Sequence, residues 1–403
     1  MVAIGSTTLG VYNPIFYANE ALIHLEKALG MASRVHRGFD SERQAFGKGD
    51  TINIRRPDTF SVQTGGTAAS AGVATETVAI SLDQWKEVKF ALTDKELAFS
   101  GDRLISDHIA PAAYALADNI DQALVALHLD AGNAAVWGGS NPITDITTAR
   151  KAMFDAAVPM DAGSMHMMLS GEMERQALAN SAFSQWQGAG DAGVSTQLRG
   201  SLGTKFGFEC FSNQNALGEA SGDQTYFSYG NNDDYAAQTT AAYAKGVSSI
   251  AIDGAGNSKV WADNSPVKIR MTNGQDHYTT LSAAVTTHAS AGTATLSLND
   301  PLRHAVADAA AVVYLGTGNS KNVETGLAFH KNAFALAMAP LPEIGNELGA
   351  KVATVSDPVT GLSLRSRVYY VGDSSQVHVA LDVLYGVKTL DAAMACRLER
   401  DLA

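Results

Sequence analysis

Leu327-Ala-Phe-His-Lys-Asn-Ala-Phe-Ala-Leu-Ala337 opens an apolar, strand-forming segment that runs to the end of the chain. It follows residues 217–325, whose texture is different: rich in Gly, Thr, Asn and Asp, with short apolar alternations between turn signals. Before residue 217 the chain alternates helical and strand periodicities. A chain that leaves a mixed body, runs through a β-rich module and returns to the body carries an inserted domain. The stretch 327–337 marks that return.

Within 217–325, short strands are expected at 247–252, 267–271, 278–285, 293–298 and 312–315. Asp253-Gly254, Asn273-Gly274, Asn299-Asp-Pro301 and Gly316-Thr-Gly-Asn319 separate them. Short strands punctuated in this way form small barrels or sandwiches. After the return, 351–356 and 362–372 should pair across Asp357-Pro-Val-Thr-Gly361, where Pro and Gly occupy favoured turn positions. Another strand is expected at 377–384.

Upstream, residues 15–37 read as an amphipathic helix with Phe16, Ile23, Ala28, Met31 and Val35 on an imperfect stripe and Pro14 in its first turn. It serves either as an arm that docks on a neighbour or as an ordinary first helix on a core. Residues 50–92 read as a long antiparallel hairpin. Ile52, Ile54, Phe60 and Val62 alternate outward; Val78, Ile80, Leu82, Val88, Phe90 and Leu92 alternate back. The tip, residues 64–74, has no apolar period and cannot bury enough surface to hold itself in place. Loops of that length are either functional or disordered; the functional reading is a tip that orders on an adjacent subunit.

Residues 93–130 read as mostly helical. Ile105, Ile109, Ala112, Leu116, Ile120, Leu124 and Leu127 recur at steps of three or four. Pro111 should kink the helix or mark the start of its regular part. From Ala112 to Asp130 such a spine is about 28 Å long. A helix is expected at 146–158, a buried strand at 165–169, a helix at 172–180, a Gly-rich loop at 187–193 and a strand at 206–211.

The 403 residues suffice for two or three packed units. Charged residues make up 17%, below the usual level of about 25%, so much of the surface should be hidden against partners or be rich in Ala, Gly and Thr. The net charge of −12 argues against tight phosphate-backbone binding, which needs clustered Lys and Arg. It does not argue against enclosing nucleic acid behind a non-adhesive wall. The acidity is uneven: in residues 1–60, Lys27, Arg34, Arg37, Arg43, Lys48, Arg55 and Arg56 face six acids. Two distant cysteines, Cys210 and Cys396, give neither a disulfide framework nor a metal spacing and suit a reducing cytoplasm. The N-terminus lacks the basic start and apolar run of a signal peptide, and no apolar run approaches the roughly 20 residues of a membrane helix.

Motifs for catalysis are missing: no GxGxxG after a strand, no P-loop, no GxSxG and no HExxH. His330 reads as a packing or hydrogen-bonding residue. Asp118 and Asp121, one helical turn apart, could hold a cation, but a solvated helix face is the commoner case. Asp253-Gly-Ala-Gly-Asn257 lacks the remaining acidic ligands of a calcium loop and reads as a turn. Asn231-Asn-Asp-Asp234 reads as a polar loop. No catalytic, cofactor-binding or metal-binding residue is assigned.

Leu327-Ala-Phe-His-Lys-Asn-Ala-Phe-Ala-Leu-Ala337, Met338-Ala-Pro-Leu-Pro342 and Leu384-Tyr-Gly-Val-Lys-Thr-Leu390, with the order of elements, resemble the major capsid proteins of tailed bacteriophages. Within that Hong-Kong-97-type fold the chain looks most like podovirus coat proteins that carry an insertion. The resemblance implies an α+β chain: an N-terminal helical arm at 1–48, an extended hairpin loop at 49–92 and a peripheral domain with its spine helix at 93–157. An axial domain with returning peripheral strands follows at 158–216 and 326–403, and a β-barrel-like insertion at 217–325. It also implies self-assembly into pentamers and hexamers of an icosahedral head around double-stranded DNA. Implied partners are further copies of the chain, a scaffolding protein and a portal. Its implied location is the virion, assembled in the host bacterial cytoplasm. The inserted module would help the chain fold or brace adjacent capsomers. Some relatives crosslink or cleave their subunits; no residue here supports either chemistry. An encapsulin-type bacterial compartment shell shares the fold and is the alternative, which the insertion and the length disfavour. An enzyme with a β-rich binding module would need a convergent polar site. A β-rich adhesin or tail protein would not be expected to carry the long helix, and would be expected to show repeats.

Overall fold

The computed structural model describes residues 14–28, 30–37, 51–56, 76–161, 163–184, 196–216, 218–220, 237–255, 260–261, 263–289, 292–314, 322–343, 350–356 and 362–401. In chain order, helix α1 (Pro14–Ala28) precedes strands β1 (Thr51–Arg56), β2 (Glu76–Ser81) and β3 (Gln84–Thr93) and helix α2 (Asp94–Ala126). Then come β4 (Asn133–Val136), α3 (Pro142–Asp155), β5 (Met165–Leu169), α4 (Gly171–Ala179), α5 (Ser181–Ser184), β6 (Thr204–Lys205), β7 (Phe208–Ser212) and β8 (Gly218–Ala220). The β-rich stretch holds β9 (Ala237–Thr239), β10 (Ser249–Asp253), β11 (Val260–Trp261), β12 (Pro266–Arg270), β13 (Asp276–Thr280), β14 (Val285–Thr286), β15 (Ala294–Ser297) and β16 (Ala311–Tyr314). The chain closes with β17 (Asn322–His330), β18 (Phe334–Met338), β19 (Lys351–Ser356), β20 (Ser363–Val371), β21 (Gln376–Thr389) and β22 (Ala395–Asp401). Two compact units result: residues 1–55, 77–124 and 335–388 form the first, and residues 56–76, 125–334 and 389–403 the second.

The first unit is built on a five-stranded sheet in the order β18-β21-β20-β19, with β3 also paired to β21. Strand pleating puts Val88, Phe90 and Leu92 of β3 on the same face as Val379, Leu381, Val383 and Tyr385 of β21 and Leu364 and Val368 of β20. That apolar face receives α2: the Phe90 and His108 rings are 5.7 Å apart, and Tyr385 donates its hydroxyl to Asn119 Oδ1 at 2.9 Å. Ile109, Ala112, Leu116, Ile120 and Leu124 are buried as the periodicity requires. The helix begins at Asp94 and runs unbroken through Pro111, so proline is not its start. Pro111 is exposed, and its lost backbone bond falls on the solvent side.

Helix α1 packs on β19 and β20 and against α2, where His24 and Tyr114 meet at 5.9 Å. The expected helix over 15–37 ends earlier, at Ala28, and its buried stripe is Ala18, Ala21, Leu22 and Leu25, while Ile23 is exposed. Gly30 to Ala32 leave the helical path, and their amides are taken up by Asp121 of α2. The N–H groups of Gly30, Met31 and Ala32 donate to its carboxylate at 2.8, 3.4 and 3.2 Å. Burial raises the pKa of that carboxyl, and the three amides only partly offset the rise.

The expected hairpin over 50–92 is two separate pairings. β1 and β2 form a two-stranded sheet, whereas β3, after Leu82 and Asp83, belongs to the five-stranded sheet through its full-length antiparallel register with β21. Alternation continues through 78–92, so periodicity alone does not reveal the change of partner. Phe60, Val62 and the tip at 64–74 lie outside the described residues.

In the second unit, a seven-stranded sheet in the order β4-β22-β17-β5-β7-β6, with β8 on β17, is covered by α3, α4 and α5. The helix expected at 146–158 begins at Pro142, a proline in the first helical turn, and ends at Asp155. Strand 165–169 is buried at every position. The strand expected at 206–211 begins only at Phe208, because Phe206 and Gly207 adopt positive φ and turn the chain from β6 into β7. The loop at 187–193 lies outside the described residues. The sequence 327–337 divides: β17 joins this sheet and β18 the sheet of the first unit, with the unit boundary between Phe334 and Ala335.

Cys396, Ala328, Met167 and Cys210 are successive cross-strand neighbours in the seven-stranded sheet. Three strand spacings of about 4.8 Å keep the cysteines too far apart for a disulfide. Burial pushes the Cys210 thiol up to about 11 and the Cys396 thiol up to about 12.

The β-rich stretch has its own core, including Ile250, Ile252, Trp261, Val267, Ile269, Leu296 and Val312. Six strands run in the order β13-β12-β16-β9-β10-β15. The two outer strands are bonded to each other just past their ends. Leu281 bridges Leu298, Ser282 N–H donates to the Ser297 carbonyl at 2.8 Å, and Asn299 N–H to the Thr280 carbonyl at 2.9 Å. The strand expected at 278–285 is split into β13 and β14, and β9 and β11 are additional. Gly254 and Gly274 take positive φ at two of the expected turns. Residues 231–234 and 256–259 lie outside the described residues.

Candidate functional site

The face of the five-stranded sheet opposite α2 is polar, and cross-strand register builds it. Arg365 of β20, Asp382 of β21 and Glu87 of β3 stand side by side, with Arg367, Ala380 and Lys89 in the next same-face row and Tyr369, His378 and Ala91 beyond. Arg365 donates through Nε and Nη2 to Asp382 Oδ2 at 2.9 and 2.6 Å, and through Nη1 to the Pro342 carbonyl at 3.0 Å. Arg367 Nη2 reaches Asp382 Oδ1 at 2.9 Å and Glu87 Oε2 at 3.0 Å. Asp382 is 0% exposed, and its two carboxyl oxygens lie between the Arg365 and Arg367 guanidinium groups. For Arg367, burial lowers the pKa, but the bonds to Asp382 and Glu87 outweigh it and the net shift is upward.

Aromatic rings border this ladder. Trp85, 58% exposed, stacks 5.9 Å from the Arg365 guanidinium; Lys89 Nζ lies 5.2 Å over the Tyr369 ring, and Tyr369 stacks on His378. The four charged side chains satisfy one another, an arrangement that pins three neighbouring strands together. Among the described residues, no group of three or more His, Cys, Asp or Glu side chains is placed to hold a metal ion, and no helix is long and apolar enough to cross a membrane.

The second polar cluster lies where the β-rich stretch meets the rest of its unit. Arg303 binds Asp391 with both terminal nitrogens, at 3.0 and 2.7 Å, and Asp300 at 3.1 Å. His277, 1% exposed, points Nε2 to the Asp300 carbonyl at 3.2 Å. Burial, followed by the Arg303 charge, pushes the His277 pKa down to about 4, against the weaker pull of Asp300 and Asp391. An unfolded chain takes up that proton near the ordinary value of about 6.5, before the folded chain does. Stability is therefore expected to fall as pH drops from about 6.5 to about 4, and then to level off for this group. Urea midpoints measured across this range should show a shallower acid slope in His277→Gln than in wild type; equal slopes would exclude His277 as the cause.

The residues singled out in the sequence do not converge. His330 is buried at the end of β17 and accepts the Asn332 N–H at 3.2 Å; burial lowers its pKa. Asp118 is exposed and accepts from Gln122, whereas Asp121 is buried under the Gly30–Ala32 amides, so the two carboxylates face different surroundings. The Arg365–Asp382–Arg367–Glu87 ladder had no local signal: its members lie on three strands, and only pairing register brings them together.

No family model and no curated protein matches the chain. Among solved structures, one from Mycobacterium phage Che8 shares 12% identity and a TM-score of 0.48, over 92% of this chain and 90% of that one. A capsid structure of cyanophage P-SCSP1u gives 11% and 0.46, over 89% and 86%. A virus-like particle from Pyrococcus furiosus gives 9% and 0.40, over 94% and 96%.

Proposed function

We propose that the protein is a shell-forming structural subunit, the major capsid protein of a tailed phage, built on a Hong-Kong-97-type fold. The observation that carries this reading is the first unit: a helix of 33 residues lies along a sheet whose strands come from residues 84–93 and 334–389. A second unit with a separate core and a β-rich excursion between β8 and β17 matches the order of elements read from the sequence. In this reading 1–48 is the arm, 49–92 the extended loop, 93–157 the peripheral domain, 158–216 with 326–403 the axial domain and returning strands, and 217–325 the inserted barrel-like domain. The subunits form pentamers and hexamers around double-stranded DNA, with a scaffolding protein and a portal as partners. Many modest contacts suffice because a closed shell leaves no open edge.

Sedimentation velocity and negative-stain microscopy of the chain expressed alone test the proposal. Closed or spiral shells are the expected result. A strictly monomeric species, unchanged by concentration, salt or crowding, would overturn it. Shells that enclose a protein cargo and never DNA would favour the compartment-shell alternative.

A further inference from the structure

Beyond the short excursion at residues 56–76, the chain passes between its two compact units at three places, Leu124/Val125, Phe334/Ala335 and Lys388/Thr389. On the second-unit side, the three passages are tied to one another. Thr389 Oγ1 donates to Asp130 Oδ2 at 2.7 Å. The N–H groups of Leu390 and Asp391 donate to the Ala333 carbonyl at 2.8 and 3.3 Å. Gly132 N–H donates to the Ala392 carbonyl at 2.8 Å, and Asn133 Nδ2 to the Ala393 carbonyl at 2.9 Å. Residues 392–394 form a 3-10 turn capped by Asp391, whose Oδ1 accepts the Ala393 N–H at 3.0 Å. The passages therefore form one hydrogen-bonded knot, and Asp391 lies at its centre.

The β-rich module grips this knot at two places and the following strand β22 at a third. Arg303 holds both carboxylate oxygens of Asp391, and the two side chains are only 18% and 19% exposed. Tyr278 of β13 packs on Gly132 so closely that a Cβ at 132 would lie 3.0 Å from the Tyr278 Cβ and 3.0 Å from the Ala392 carbonyl oxygen. Arg397 of β22 donates to the Asn264 carbonyl. The module has its own apolar core and needs none of these bonds to bury it. A bidentate guanidinium–carboxylate pair fixes angle as well as distance, which a single lysine contact does not.

We infer that the β-rich module is an intramolecular clamp on its own unit, with Arg303 as the latch that holds residues 389–393 in their turn against residues 130–133 and Ala333. The inference concerns one chain and does not depend on shell assembly.

Hydrogen exchange of the full-length chain, read by mass spectrometry, tests it in Arg303→Met, Arg303→Lys and Asp391→Asn. Arg303→Met should speed exchange of the amides at 390–393 and at 132 by about tenfold or more, the scale of a lost charge-assisted pair. Peptides from β5, β10, β12 and β17 should keep wild-type rates. Arg303→Lys, which keeps the charge and loses the fork, should fall between. Should Arg303→Met fail to fold, Asp391→Asn decides, because its amide can still cap the turn while its charge is gone. Junction amides that exchange at wild-type rates in either folded variant would overturn the clamp. So would loosening confined to the module strands. A chain that never forms shells would leave these rates unchanged, so the failure of one proposal is distinct from the failure of the other.

Discussion

Gly386→Ala is expected to cost about 3 kcal/mol or more and to disrupt the pairing of β21. A Cβ at this position would lie 2.1 Å from the Ser81 carbonyl oxygen and 2.9 Å from its carbon. Both are backbone atoms at the end of β2, so no rotamer change relieves the overlap. The strand cannot shift alone either, because β21 is registered residue by residue against β3 from Gln376 to Tyr385 and against β20 from Gln376 to Asp382. Any relief must break one of these ladders or displace Ser81. Circular dichroism during urea unfolding should show a lower midpoint for the variant, or no folded baseline for the first unit. A wild-type midpoint would show that residues 81–83 yield freely and that the close approach is incidental.

Asp382→Ala should destabilise the first unit by about 3–5 kcal/mol, the range for a broken buried ion pair. The substitution leaves Arg365 and Arg367 facing one another, with Glu87 as the remaining carboxylate of the ladder. Most of the loss is the cost of uncompensated charge rather than the worth of the attraction. Replacing Asp382, Arg365 and Arg367 together by Leu, Met and Met should therefore recover much of the stability. A triple variant as unstable as the single one would show that the ladder stabilises the sheet outright. Trp85 reports on the same site: its fluorescence should change in Asp382→Ala, because Arg365, on which it stacks, loses its anchor.

Much of the architecture was legible in local pattern. Every position of 165–169 is buried because the Met-rich run has no polar alternation to expose. The 3.6-residue recurrence from Ile109 to Leu124 is the buried stripe of α2. The change of texture after residue 217 corresponds to strands with their own core. The sequence did less well where a local pattern has two readings. Alternation from 78 to 92 is the same for one long strand and for two strands in different sheets, so the break at Leu82-Asp83 was invisible. The stripe of α1 was misassigned because Gly30 ends the helix and the amides that follow are satisfied by Asp121, some ninety residues away.

By itself, the sequence determined the long helix, most of the longer strands and the lack of a familiar catalytic motif, since these follow from the spacing of neighbouring residues. Only the tertiary structure decided the partners. It placed β17 and β18 of one apolar run in two different sheets, set Asp382 between Arg365 and Arg367, and brought Arg303 to Asp391. Such pairings join residues tens or hundreds of positions apart through strand register, and register is a property of how segments pack together, not of any one of them.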